Sequence, residues 1–150
     1  MKKKHSGILM EVGKRNRNGR IYPEELFKNS INEFITRKDK LGVAYGELGH
    51  PDTFDISLTN ISHTIDDIKL KFAKVPRKKK KQMKKAGTYK RTQFVVSYTI
   101  LDTNMGKVAK KIAKDLVPSP RGTGSLDENG VVQSDYKLLA IDLINSKDRA

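Results

Sequence analysis

Apolar and polar positions alternate most clearly over Thr92–Leu101, where Phe94, Val96, Tyr98 and Ile100 interleave with Val95, Ser97 and Thr99. A period of two predicts a half-buried strand. Ile61–Phe72 is a second predicted strand, rich in β-branched residues, with Ile61, Ile65, Ile68 and Leu70 as core contacts. The two would form a long hairpin. Gly7–Val12 predicts a first strand, followed by a polar turn in which Asn18-Gly19 is the strongest local signal. Leu26, Phe27, Ile31, Phe34 and Ile35 instead recur at helical spacing behind Pro23-Glu24-Glu25. An early proline and acids in the first turn mark that helix start, and the pattern runs to about residue 37.

Leu41–Tyr45 is a short apolar segment ending at Gly46, and Pro51–Asp55 predicts a loop. Asp102 or Thr103 can cap a second helix carrying Val108, Ile112, Ala113 and Leu116, with Pro118 ending it. Asp127-Glu128-Asn129-Gly130 is a tight turn, and Val131–Ile144 predicts one or two strands bent near Ser134-Asp135. No internal repeat occurs. The expectation is one compact, mixed α/β domain over residues 1–150, dominated by strands and carrying two helices.

Charge changes this picture at one place. Lys and Arg number 31 against 17 Asp and Glu, a formal net charge of +14, which calls for an anionic partner or neighbourhood. The densest run is Arg77, Lys78, Lys79, Lys80 and Lys81, continuing through Lys84 and Lys85. It predicts a basic flexible loop at about 76–91 between the hairpin strands. That loop reads either as a solvated segment or as a polyanion-binding surface for nucleic acid or an acidic protein. With no cysteine there is no disulfide framework and no thiol nucleophile. No apolar run is long enough to span a bilayer, so no membrane contact is expected. Met1–Gly7 is basic without an apolar stretch behind it and does not read as a signal peptide, so an intracellular site is expected.

Three places carry candidate chemistry. Ser119-Pro120-Arg121-Gly122-Thr123-Gly124-Ser125 follows the second helix. Pro120 fixes one dihedral, and Gly122 allows close approach or a positive φ. The amides of Arg121 and Gly122, with the Arg121 guanidinium, could face a developing oxyanion. A stretch this rich in Ser, Pro and Gly also reads simply as a loop. Of the three histidines, His5 lies in a basic tail, while His50 and His63 could each serve Ser119 as a base. His63 shares the face of Ile61 and Ile65, which also suits a satisfied core histidine. Asp142, between Ile141 and Leu143, would either find a buried partner such as an imidazolium or point out of an edge strand. No His-Glu-x-x-His pattern occurs, so no metal is expected.

Four collinear blocks resemble the prohead maturation proteases of tailed bacteriophages, of the T4-like kind. They are Asn16–Pro23, Gly46-Glu47-Leu48-Gly49-His50-Pro51, Leu101–Lys110, and Ser119–Ser125 followed by Asn129-Gly130-Val131-Val132. The resemblance implies a fold similar to the herpesvirus assembly proteases, a β-barrel-like sheet flanked by helices. It implies Ser119 as nucleophile, His50 as catalytic histidine and Asp142 as third member. His63 is the alternative third member, because the herpesvirus proteases use a second histidine. The chain departs from the family's usual Ser-Ser-Arg-Gly in placing Pro120 second, which removes a backbone donor.

The implied activity is a serine endopeptidase of head maturation that needs no cofactor. It would cleave scaffold or core protein and major capsid protein after glutamate, commonly two residues beyond a leucine or isoleucine. It would act inside the prohead in the host cytoplasm, with a homo-oligomer and non-specific nucleic-acid contact as further expectations. The alternative is a catalytically impaired head-assembly module that binds acidic scaffold or nucleic acid through its basic surface.

Overall fold

A computed structural model describes residues 3–73 and 91–149. The basic run at 77–85, and with it the polyanion-binding expectation for Arg77, Lys78, Lys79, Lys80, Lys81, Lys84 and Lys85, lies outside the described residues. In chain order the described elements are β1 (Lys3–Val12), α1 (Glu24–Leu41), β2 (Tyr45–Glu47), β3 (Ile61–Ala73), β4 (Arg91–Ile100), α2 (Asn104–Lys111), β5 (Leu116–Thr123) and β6 (Lys137–Asn145). No described helix is long and apolar enough to cross a membrane.

Strands β1, β4, β3 and β2 form one antiparallel sheet in that order, and β5 and β6 form a second. Phe94, Val96, Tyr98 and Ile100 of β4 are all buried, as their alternation predicts. Leu70, expected in the core, is instead exposed. Helix α1 lays Phe27, Ile31 and Phe34 onto the core, where the Phe27 and Phe94 rings meet edge-on at 5.2 Å. It opens behind Pro23 and closes at Gly42, whose φ of 85° lets its N–H reach Lys38 O at 2.8 Å. The Asn18-Gly19 turn forms around the Asn16 side chain, which accepts from the amides of Asn18 and Arg20 at 3.0 Å each.

The two sheets approach one another along two seams without closing into a barrel. At the first, Leu48 beyond β2 bridges Leu143 of β6, and Gly49 N–H donates to Leu143 O at 2.7 Å. At the second, β1 lies against β5. Gly7 permits the approach, because a Cβ there would stand 2.8 Å from Pro118 Cδ. The Pro118 ring nitrogen thus faces β1 and has no hydrogen to offer it, and the strand period turns Pro120 the same way. Two missing donors on one edge explain why β5 never joins the large sheet. The Arg149 guanidinium spans the gap instead, donating to Ile8 O and to Pro118 O.

One predicted element ends differently. Helix α2 is capped by Thr103, whose side chain accepts from Gly106 N at 3.0 Å, but it stops at Lys111. A tight turn at Ala113–Asp115 follows, and Leu116 and Pro118 begin β5. The Ser119 segment is therefore strand, not loop. The apolar spacing of Ile112 and Leu116 mimics helix, while Pro118 is compatible with an unpaired strand edge.

Candidate active site

The register of β5 on β6 builds the site. Ser119 lies directly opposite Asp142, so their side chains share one face of the two-stranded sheet. Arg121, two residues on, is on the same face and diagonal to Asp142. His50 enters from the first seam. Gly49, at φ 83°, turns the chain after the Leu48–Leu143 bridge and delivers the imidazole between the two strands' side chains. His50 Nε2 lies 3.0 Å from Ser119 Oγ, and Nδ1 lies 2.8 Å from Asp142 Oδ2. A carboxylate has no proton to give, so the Nδ1 proton points at Asp142 and Nε2 is left to accept from the serine hydroxyl. Ser119 is half-buried, the His50 ring is about a third exposed, and Asp142 is fully enclosed.

Asp142 is held by three residues. Beside His50, its Oδ1 accepts from Glu47 N at 3.1 Å and from Arg121 Nη2 at 3.3 Å. Arg121 Nε stands 3.0 Å from Oδ2, near enough for charge but off-line for a hydrogen bond. The rest of the guanidinium is engaged too. Nη2 meets Glu47 Oε2 at 2.9 Å, while Nη1 donates to Thr53 O at 3.0 Å and Asp55 O at 3.3 Å. Glu47 is itself fully buried, with Asn60 Nδ2 3.2 Å from its Oε1.

Arg121 is thus brought to the site, but its guanidinium turns inward to the two carboxylates rather than toward an incoming carbonyl. Gly122 serves close approach, not a positive φ: a Cβ there would meet Tyr136 Oη at 2.6 Å and Lys137 O at 2.7 Å. The register shifts opposite Arg121 and Gly122, where Leu139 of β6 is the extra residue, and the ladder is irregular two residues past Ser119.

His63 is not the partner of His50. It is enclosed behind Gly46, with Ser62 Oγ 2.7 Å from Nδ1 and Ile141 O 2.8 Å from Nε2. Nε2–H donates to the carbonyl, so Nδ1 accepts from the Ser62 hydroxyl. Burial lowers its basicity, against the smaller opposing effects of the Ile141 bond and the Asp142 charge. Glu47 and Asn60 were missed as site residues. The signal for Glu47 was a lone acid between the apolar segment and Gly49, the same signal that marked Asp142.

The sequence profile of the prohead core protein serine proteases matches residues 3–140. The chain belongs to this family. The protease has the fold of the bacteriophage T4 capsid assembly protease, a solved structure to which it is similar at a TM-score of 0.68 and 21% identity. That match covers 94% of this chain and 80% of the other. No curated protein sequence matches it. The recognised blocks fall where this architecture needs them: Asn16–Pro23 supplies the turn into α1, Gly46–Pro51 the first seam, and Ser119–Ser125 the strand opposite Asp142.

Proposed function

We propose that this protease cleaves the scaffold or core protein and the major capsid protein inside the immature phage head, through an acyl-enzyme on Ser119. The observation that carries the reading is the unbroken line from Ser119 Oγ through His50 to Asp142, at 3.0 and 2.8 Å. His50 Nε2 takes the hydroxyl proton as Oγ bonds to the scissile carbonyl carbon. Asp142 keeps the imidazolium oriented and stabilised. Collapse of the tetrahedral intermediate breaks the C–N bond, with His50 passing its proton to the leaving amine. Water then repeats the sequence on the ester. Backbone amides at Arg121 and Gly122 are the proposed oxyanion donors, beside the irregularity in the β5–β6 ladder.

Cleavage after glutamate is the finer part of the proposal. A cleft of about 510 Å³ opens beside Ser119 and His50, and Lys14, Arg17, Arg20 and Arg149 border it. On the other side of His50, an apolar pocket of about 550 Å³ is lined by Leu48, Met105, Ile112, Leu116 and Leu143. A cationic cleft at the nucleophile and an apolar pocket that also borders His50 suit a substrate carrying an acid and, a short distance away, an aliphatic residue.

The test is reaction with a serine-directed fluorophosphonate, read by intact mass. The wild type should gain one adduct, and Ser119→Ala and His50→Ala should gain none. Equal labelling of wild type and Ser119→Ala would remove Ser119 as nucleophile. Peptides differing only by Glu or Gln before the scissile bond test the specificity, which requires a preference for Glu.

A further inference from the structure

The buried carboxylate of Glu47 has no direct contact with His50 or Ser119, yet it completes a charge arrangement that the catalytic line alone does not explain. Asp142 has an imidazole on one side and a guanidinium on the other, and Arg121 Nε and His50 Nδ1 converge on the same oxygen, Oδ2, at 3.0 and 2.8 Å. Taken alone, Arg121 would cancel the negative charge that a protonated His50 needs. Glu47, 2.9 Å from Arg121 Nη2, supplies a second carboxylate. The buried array of Glu47, Arg121 and Asp142 then carries one net negative charge. It becomes neutral as a whole when His50 holds the serine proton. Neutrality at that moment matters, because uncompensated buried charge is strongly unfavourable.

We propose that Glu47 is a positioning residue that acts through Arg121, setting the net charge presented to His50 so that the imidazolium is stabilised. The inference rests on the reading of His50 as the general base. The β2 backbone ties geometry to charge: the Glu47 amide binds Asp142 Oδ1 while its side chain binds Arg121, so one residue holds both ends of the array. Asn60 Nδ2 anchors it further, bonding Glu47 Oε1 and Leu48 O. The other charged groups around His50 are more open. Asp115, Asp148 and Arg149 line the pockets that His50 borders. Glu11, Lys14, Arg15, Arg17 and Arg20 lie around the larger cleft. None of these changes in the test below.

The test is a charge cycle read by the NMR titration of the His50 ring in the inactive Ser119→Ala background, with His50→Gln used to assign the signal. Glu47→Gln keeps the shape and removes the negative charge, so His50 should protonate at a pH lower by about one unit. Arg121→Gln leaves two carboxylates unopposed and should move the midpoint up by a similar amount. The double variant Glu47→Gln/Arg121→Gln restores one net negative charge and should titrate close to the Ser119→Ala parent.

In the active background, Glu47→Gln should lower kcat on the order of 10-fold and move the acid limb of kcat/KM to lower pH. Midpoints that stay put in folded single variants would overturn the proposal, as would a double variant that fails to return. If one single variant does not fold, the other carries the test: its midpoint must move in the stated direction and the double must return to the parent value. Loss of folding in all three would make the array a structural element only and would also overturn it. Because the titration needs no turnover, absent fluorophosphonate labelling alongside the expected shifts would sink the protease mechanism and leave the charge assignment standing.

Discussion

His63 shows what a buried histidine does when it is not catalytic. Both ring nitrogens are bonded, and enclosure holds its basicity below the ordinary value of 6.5. In the unfolded chain it takes up a proton as pH falls through about 6.5, while the folded form resists. The unfolded state then binds more protons, so stability falls with decreasing pH below that point and is unaffected above it. The loss should approach about 1.4 kcal/mol per pH unit. Urea unfolding between pH 7.5 and 5 checks this by comparing His50→Gln with His50→Gln/His63→Gln, so that His50 cannot contribute. The double variant should show the shallower slope, and parallel slopes would show that His63 is not the titrating group. Its neighbour Gly46 is tied to the same enclosure, since a Cβ there would stand 2.1 Å from His63 Nε2 and 2.2 Å from Ile141 O. The glycine in the histidine motif thus makes room for the second histidine.

Strand β5 is the element on which site and fold most depend, and its outer edge is held by Arg149 in place of a ladder. Burial lowers the basicity of this guanidinium, but it remains a cation bonded to two carbonyls across the seam. Arg17 Nη1 in turn donates to Lys147 O and Arg149 O at 3.3 Å each, bracing the segment that carries it. Arg149→Ala should cost about 1–3 kcal/mol of stability, because two backbone acceptors, Pro118 O part-buried, lose a charged donor. It should also speed amide exchange in β1 and β5 and lower kcat, because Ser119 follows Pro118. Unchanged exchange in both strands would show that Arg149 does not hold the seam.

The same strand marks where sequence reading stops. Alternation exposed β4, and a prolonged apolar spacing exposed α1, because each pattern is local and each face meets one environment. β5 was obscured because Leu116 continues the helical spacing of α2, and Pro118 and Pro120 argue against any strand. Only the absence of a hydrogen-bonded neighbour on the β1 side makes them acceptable. Glu47 was equally hard to see, since an acid beside a strand is ordinary until Arg121 is placed against it.

At the scale of the molecule, the site joins segments far apart in sequence: His50 and Ser119 are separated by 69 positions, and His50 and Asp142 by 92. No spacing rule reaches that far. The recognised blocks carry His50 and Ser119, Asp142 lies beyond them in β6, and the packing of two sheets brings the three together. The charges divide by depth in a way that predicts how salt should act. Arg121, Glu47 and Asp142 are enclosed, where mobile ions screen poorly, whereas Lys14, Arg17 and Arg20 stand at an open cleft on a chain of net charge +14. The Debye length falls from about 10 Å at 0.1 M to about 3 Å at 1 M, so the cleft field collapses while the buried array keeps its strength. Raising salt from about 0.05 to 0.5 M should therefore lower kcat/KM for an acidic peptide on the order of 10-fold, almost entirely through KM. kcat should hold within about two-fold, and a neutral peptide with the same scissile pair should respond much less. Steady-state kinetics with the two peptides decide it. A decline carried by kcat would place the salt-sensitive charge inside the catalytic array, and equal responses of both peptides would remove the cationic cleft as the source of acidic preference.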